Sequence, residues 1–271
     1  MRVRVPGRET DNCRATAMPP ESRHRRPLLV ANWKMNGLHA DGLALASALA
    51  GHAAAGEGGD IVVCPPATLL FALRAVFAGS AVALGGQDCH TAAAGAHTGD
   101  VSASMLADAG CTHVIVGHSE RRAGHGEGDE TVAEKAAAAH GAGLTAIVCV
   151  GESAADRDSG HALTVIGRQV EGSLPDGAAP ENTAIAYEPV WAIGSGRTPG
   201  PADIAAAHAE VRAGWERRFS GSGAALRVLY GGSVTARNAG EILAVPGVDG
   251  VLVGGASLSA DTFWQICRAW R

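Results

Sequence analysis

One carboxylate, Glu188, has the sequence surroundings of a general base. It follows a short apolar strand predicted over Thr183–Tyr187, and it precedes Pro189, an apolar stretch and the Gly-Ser-Gly run at 194–196. The proline end of this segment resists bending and the glycine end permits it, as in a hinged lid. A base on a rigid strand beside a lid suits proton transfer away from water.

Polar side chains also follow two other short apolar runs. Asn32 and Lys34 end the first run, and His118 follows the fourth, where a helix is predicted to begin. Lys34 and Lys135 are the only lysines, so any lysine chemistry must use one of them. Taken singly, each residue has a structural explanation. Lys34 could form an ion pair at the barrel rim, His118 could be a hydrogen-bonded core histidine, and Glu188 could cap a turn. Their joint occurrence at three strand ends favours a catalytic site.

The pair Glu120 and Arg121 lies just after His118. From the residues alone, the two side chains are predicted to form a plain salt bridge with each other.

Two glycine-rich turns follow the seventh and eighth apolar runs. The first contains Ser233 after a Gly-Gly pair, and the second contains Gly254 and Gly255. Backbone N–H groups in such turns bind anions, and adjacent turns after strands seven and eight form a recurrent phosphate site of barrels. One Gly-Gly alone would indicate only a tight turn, whereas two at this placement predict a phosphate site.

The elements that position these residues alternate regularly. Apolar runs that predict strands are separated by stretches with helical spacing, and crossovers of this length imply parallel pairing. Eight such units fit a single-domain α/β fold, the closed (β/α)8 TIM barrel. An open doubly wound sheet would need a dinucleotide fingerprint after its first strand, and none is present. The predicted strands cover 28–33, 61–64, 82–84, 113–116, 146–150, 183–187, 226–230 and 250–253.

Composition excludes several classes of function. The net charge is −5 with no basic face, which gives no electrostatic case for nucleic acid. No apolar run reaches the 18 residues of a membrane span. The six cysteines lack metal-ligand spacing and are expected to be free thiols in a reducing cytoplasm. The spacing of the histidines favours hydrogen-bonding roles, so no metal is expected.

Residues 1–26 differ from the rest of the chain. They contain seven arginines and three acidic residues, with little apolar periodicity. We expect a disordered basic extension, followed by the barrel over 27–271. Met18 is an alternative start, which would make the first residues absent from the native protein.

Five motifs resemble the triosephosphate isomerase family in order and spacing. They are Asn32-Trp33-Lys34-Met35-Asn36, Gly117 to Arg122, Cys149-Val150-Gly151-Glu152, Tyr187 to Thr198, and Tyr230-Gly231-Gly232-Ser233-Val234. The resemblance implies a cofactor-free enzyme, active in glycolysis and gluconeogenesis. It would interconvert dihydroxyacetone phosphate and D-glyceraldehyde 3-phosphate through an enediolate.

The same resemblance implies a role for each matching residue. Glu188 would move the proton, and a neutral His118 would hydrogen-bond the substrate oxygens. Lys34 and Asn32 would contact substrate, and Glu120 would position Lys34. Backbone groups at four further positions would bind the phosphate: Gly194, Ser233, Gly254 and Gly255.

The resemblance also implies a homodimer. The loop 87–101 is long for a connection between strand and helix, and such loops are usually functional. Its tip resembles the subunit-contact loop of the family, so Thr98 would reach the Asn32 and Lys34 of a second copy. Departures from the family pattern at five positions bear on this contact or on the lid: Asp88, His97, Asp100, Ser195 and Arg197.

The sequence leaves three rival functions to consider. An isomerase of a four-carbon ketose phosphate would use the same base and phosphate site. A binding-only barrel is disfavoured because the four central polar residues are intact. A Schiff-base aldolase would leave Glu188 and its lid unexplained.

Overall fold

A closed parallel barrel forms the centre of the computed structural model, which describes residues 25–54, 56, 58–193, 197–221 and 223–270. Each strand pairs with the next in chain order, and the eighth pairs with the first. The predicted closed barrel is therefore confirmed. The strands are β1 (Leu28–Asn32), β2 (Asp60–Cys64), β3 (Val82–Gly86), β4 (Cys111–Val116), β5 (Thr145–Val150), β6 (Thr183–Tyr187), β7 (Arg227–Tyr230) and β8 (Gly250–Val253).

Helices fill the connections between the strands. Within the described residues they are α1 (His39–Ala53), α2 (Leu70–Phe77), α3 (Ala103–Asp108), α4 (Ser119–His125), α5 (Asp129–Gly141), α6 (Ala154–Asp158), α7 (Ala162–Ser173), α8 (Pro201–Phe219), α9 (Ala239–Leu243) and α10 (Ala260–Arg268). Short 3₁₀ turns occur at Ala67–Leu69, Val190–Ala192 and Gly255–Leu258. None of these described helices combines the length and the apolar character that crossing a membrane requires.

Alternation along each strand divides the core into two layers. Leu28 and Val30 of β1 point into the barrel, where they pack with side chains such as Ile115 and Ile147. Leu29 and Ala31 belong to the outer layer, which packs against the helices. Both faces of the strands are buried, as the continuous apolar runs predict.

Strand β3 extends two residues beyond its prediction, through Gly85 and Gly86. A pair of glycines is typical of a turn, but in this strand the two glycines allow neighbouring side chains to pack closely. A Cβ at Gly85 would lie 2.6 Å from the Cys64 sulfur, and one at Gly86 would lie 2.5 Å from Leu106. A side chain at either position would displace its neighbour.

An ionic cluster closes the amino-terminal end of the barrel. The buried Asp249 pairs with Arg212 and with Arg25, whose Nη2 lies 3.0 Å from Oδ1. Arg26 pairs with Asp60 at 3.2 Å. Arg25 and Arg26 fall within the predicted extension, yet both contact the barrel. Residues 1–24 lie outside the described residues, so the disorder of that part stays a prediction.

Candidate active site

A cavity of about 290 Å³ opens at the carboxyl ends of the strands. It brings together most of the predicted site residues: Asn32, Lys34, His118, Glu188, Ser233, Gly254 and Gly255. Its other walls come from Ile193, Gly231, Gly232, Val234, Thr235, Leu252 and Ala256. Gly194, the remaining predicted phosphate ligand, lies outside the described residues, as does Ser195.

The carboxylate of Glu188 is buried among hydrogen-bond donors. The Ser119 backbone N–H donates to Oε2 at 2.8 Å, and the Ser119 hydroxyl lies 3.3 Å from Oε1. The Nε2 atom of His118 lies 3.0 Å from Oε1. The side chain of Glu188 is only 2% exposed. A carboxylate so placed is held ready beside the cavity, out of bulk water.

Two glycines make room for Glu188. A Cβ at Gly151 would fall 1.7 Å from the Glu188 carbonyl oxygen, and one at Gly231 would lie 3.0 Å from Cγ. The Glu188 N–H donates to the Val150 carbonyl at 2.7 Å, which fixes its backbone to β5. Neighbouring strand ends thus determine where the carboxylate sits.

His118 caps the amino terminus of α4, as the sequence predicts. Its Nδ1 accepts a hydrogen bond from the Glu120 N–H at 3.2 Å. An accepting Nδ1 places the ring proton of the neutral imidazole on Nε2. That Nε2–H points to Glu188 and is available to an oxygen in the cavity. A neutral ring of this kind donates a hydrogen bond without carrying positive charge.

Lys34 is held by three separate contacts. Asn32 Oδ1 accepts from its backbone N–H at 3.0 Å, and Gln87 Nε2 donates to its carbonyl at 2.8 Å. Its Nζ lies 2.5 Å from Glu120 Oε1. Lys34 has φ +52°, a left-handed conformation that costs a non-glycine residue about 1–3 kcal/mol and needs such support.

The predicted salt bridge between Glu120 and Arg121 is wrong. Glu120 binds Lys34, whereas Arg121 binds Asp88 and Glu127. Consecutive residues at the start of a helix project in different directions, which separates the two side chains. Partial burial raises the pKa of Glu120, but the hydrogen bond and charge of Lys34 outweigh it and lower that pKa overall.

The two glycine-rich turns differ in their local structure. The Gly254 turn leads directly into the 3₁₀ turn Gly255–Leu258, whose first N–H groups lack partners within the helix. A Cβ at Gly254 would lie 3.2 Å from Lys34 Cε, so the lysine runs alongside this turn. The Ser233 turn does not open a helix directly, because α9 begins only at Ala239. The geometry therefore brings a cation and the amino-terminal end of a 3₁₀ turn together at Gly254.

Three supporting residues had no role assigned from the sequence, although Ser119 and Glu152 lie within the motifs that resemble the family. Gln87 and Ser119 hold Lys34 and Glu188, and each follows a strand end, the one signal that could have indicated them. Glu152, at the end of β5, is fully buried and accepts from Trp191 Nε1 at 2.7 Å. This bond fixes the 3₁₀ turn that leads from Glu188 toward the predicted lid.

One group among the described residues has the composition of a metal site. The ligand atoms of His90, His97 and Asp100 lie within 4.8 Å of one another. However, the Ala92 N–H donates to His90 Nδ1 at 2.9 Å, which leaves the proton of a neutral ring on Nε2, facing Asp100 at 3.7 Å. The His90 and His97 rings pack against each other with centroids 3.9 Å apart, so ring packing and the bond from Ala92 account for this arrangement. Five cysteines (64, 89, 111, 149 and 267) are free and buried, and Cys13 lies outside the described residues.

Comparison with known proteins gives a consistent result. The model of the triosephosphate isomerase family matches residues 27–270. A triosephosphate isomerase of Afipia carboxidovorans is 56% identical over 244 residues, covering 90% of this chain and 97% of the relative. That of Brucella abortus is 54% identical, covering 91% and 97%. The crystal structure of the Bartonella henselae enzyme has a TM-score of 0.84 at 46% identity, covering 91% of this chain and 99% of the other.

Proposed function

The chain belongs to the triosephosphate isomerase family and is an isomerase of triose phosphates; from this premise we propose how its residues carry out the reaction. The observation that carries the proposal is the 3.0 Å contact between His118 Nε2 and Glu188 Oε1 at the cavity wall. It joins a buried carboxylate to a neutral hydrogen-bond donor. These are the two groups that proton abstraction next to a carbonyl needs.

Glu188 is the base. It exchanges its hydrogen bond to His118 for the substrate, removes a proton from one carbon of dihydroxyacetone phosphate and returns it to the neighbouring carbon. His118 donates its Nε2–H to the substrate oxygens as negative charge develops on them. The carbonyl makes the neighbouring C–H acidic, so the residues present suffice and no cofactor enters the proposal.

Lys34, Asn32 and the glycine-rich turns bind the rest of the substrate. The ammonium group of Lys34 lies beside Gly254, where it would attract the phosphate and stabilise the enediolate. Amides at Ser233, Gly254 and Gly255 would donate to phosphate oxygens, together with Gly194. Glu120 holds Lys34 in place through the 2.5 Å ion pair. Binding energy from the phosphate then assists the chemistry at the distant carbons.

A coupled assay tests this proposal. Purified protein should convert dihydroxyacetone phosphate and lose kcat as well as affinity with unphosphorylated glyceraldehyde. A tetrulose phosphate serves as the comparison substrate. Equal kcat on glyceraldehyde would contradict the phosphate role of Ser233, Gly254 and Gly255.

We further propose a homodimer in which loop 87–101 binds a second copy. The loop is closed at its base by the His90 N–H bond to the Val101 carbonyl at 2.8 Å, and Thr98 at its tip is exposed. Beside the loop lies a second cavity of about 230 Å³, lined in part by Gln87 and Arg121. That cavity could receive the tip of the partner's loop.

Exposed apolar side chains support the same interface. Met35 is 95% exposed and Phe71 is 64% exposed, and both lie on connections at the catalytic end of the barrel. A monomer gains nothing from exposing such side chains, whereas a partner would bury them.

Sedimentation at micromolar protein, with activity followed on dilution, tests the dimer. Thr98→Arg should give an inactive monomer, because a bulky charge at the tip would not fit the partner. Thr164→Arg, at an exposed position of α7, is the matched control and should stay dimeric. A dimeric, active Thr98→Arg variant would overturn the interface.

We also place the chain in the cytoplasm. The five cysteines among the described residues are free and buried, which suits a reducing compartment. Recovery of the activity in the periplasmic or extracellular fraction of the source cells would contradict this placement.

A further inference from the structure

Lys34 depends on two residues whose next neighbours in the chain are joined to each other. Gln87 binds the Lys34 carbonyl, and Glu120 binds its ammonium group. Gln87 is followed by Asp88, and Glu120 is followed by Arg121. Arg121 Nη2 and Asp88 Oδ2 lie 2.9 Å apart, so an ion pair links the two segments that hold Lys34.

This ion pair belongs to a network of four charges, in which Glu127 and Lys135 are buried and Asp88 and Arg121 are partly exposed. Lys135 Nζ of α5 binds both oxygens of Asp88, at 2.8 and 2.9 Å, and Glu127 Oε1 at 2.6 Å. Arg121 Nε also binds Glu127 Oε1, at 2.7 Å. Two cations and two anions therefore meet at one place, and Lys135 holds both carboxylates.

Stability alone is a poor explanation for such a network. Removing Glu127 and Lys135 from water, and Asp88 and Arg121 in part, costs free energy that their mutual attraction only partly returns. In keeping with this cost, burial raises the pKa of Asp88 although Lys135 and Arg121 lie against it. What the network does provide is a fixed geometry between the loop after β3 and the start of α4.

We propose that Asp88, Arg121 and Lys135 are positioning residues that hold Lys34 in its left-handed conformation beside the Gly254 turn. Asp88 fixes the segment that carries Gln87, and Arg121 fixes the segment that carries Glu120. Lys135 keeps the two carboxylates from repelling each other. The inference rests on the proposed role of Lys34 in substrate binding, but its first test does not use activity.

The lysine content of the chain makes a direct test available. Protein labelled with ¹⁵N and ¹³C in lysine alone gives two side-chain signals in an NMR spectrum, one from Lys34 and one from Lys135. Asp88→Leu keeps a similar side-chain volume and removes both oxygens that bind Lys135 and Arg121. Asp249→Leu is the matched control, because Asp249 is a buried aspartate between two arginines at the opposite end of the barrel.

We expect Asp88→Leu to shift both lysine signals and Asp249→Leu to shift neither. Asp88→Leu should also lower kcat/KM by about 10- to 100-fold and weaken competitive inhibition by inorganic phosphate, since displacements near 1 Å have effects of this size. Asp249→Leu should leave the kinetic constants of the folded protein unchanged. Lys135→Arg should retain more activity than Lys135→Met.

The outcomes separate this inference from the proposed function. If Asp88→Leu shifts the Lys135 signal alone, the network does not position Lys34 and the inference fails. If the Lys34 signal shifts while kcat/KM and phosphate inhibition stay at wild-type values, the positioning inference holds and the proposed substrate role of Lys34 fails.

Discussion

Gly151→Ala should disable the enzyme without touching a catalytic side chain. The added Cβ would fall 1.7 Å from the Glu188 carbonyl oxygen, whereas such contacts essentially never lie below 3.0 Å. The Glu188 backbone must therefore move by about 1.3 Å. That shift strains the 2.7 Å hydrogen bond between the Glu188 N–H and the Val150 carbonyl and carries the base with it.

The size of the effect follows from this displacement. Misplacing a catalytic group by about 1 Å can cost on the order of 10²-fold in rate, equivalent to about 2.7 kcal/mol in the activation free energy. Overpacking should also lower the free energy of unfolding by about 1–3 kcal/mol. We expect kcat to fall about 100-fold in protein that is still folded at the assay temperature.

Steady-state kinetics and thermal unfolding measure both effects. Gly124→Ala is the control, because a Cβ at Gly124 in α4 meets no atom within 4 Å. Its kcat should match the wild type. A Gly151→Ala variant with wild-type kcat and thermal stability would refute the view that the Gly151 contact sets the position of Glu188.

Three further predictions concern pH, charge and the amino terminus. Burial lowers the pKa of His208 to about 4 against 6.5 for an unperturbed histidine, so the unfolded chain binds the proton first as pH falls. The free energy of unfolding should therefore drop by about 3 kcal/mol between pH 6.5 and 4. Chemical denaturation of His208→Gln over the same pH range should show a smaller drop. Glu120→Gln removes the charge that faces Lys34 at 2.5 Å, and steady-state kinetics should show kcat/KM reduced about tenfold or more. The Gly124→Ala control should keep the wild-type kcat. A chain that starts at Met18 should keep the wild-type melting temperature and activity. A chain that starts at Pro27 loses the Arg25 bond to Asp249 and should melt several degrees lower. Unfolding of the Met18 form would show that the first residues are structural.

The fold was largely predictable because its pattern is local. The strands Thr183–Tyr187 and Gly250–Val253 match their predicted bounds, since continuous apolar runs mark strands buried on both faces. Strand β3 was predicted too short, because Gly85 and Gly86 do not look like strand residues. Both are glycine there because Cys64 and Leu106, which are distant in sequence, pack closely against them. Such contacts exist only once the barrel closes.

The site was predictable in its members and less so in its contacts. Glu188, His118 and Lys34 stand at strand ends, and the topology of a barrel brings strand ends together. The pairing of charged side chains depends on the directions in which they point in the folded barrel. Glu120 therefore binds Lys34, 86 residues away in sequence, rather than the adjacent Arg121. The Asp88 and Lys135 pair is hidden in sequence for the same reason.

Solvent deuterium incorporation tests the central claim, that Glu188 moves the proton, most directly. In D₂O the wild-type protein should convert dihydroxyacetone phosphate to glyceraldehyde 3-phosphate that carries deuterium at C2, because a base that exchanges with solvent delivers the proton. Glu188→Gln keeps the size of the side chain but cannot accept the proton, so exchange and turnover should both fall by about 10²–10⁴-fold or more. Binding of inorganic phosphate to the folded variant should persist. Deuterium incorporation at the wild-type rate in Glu188→Gln would contradict the account.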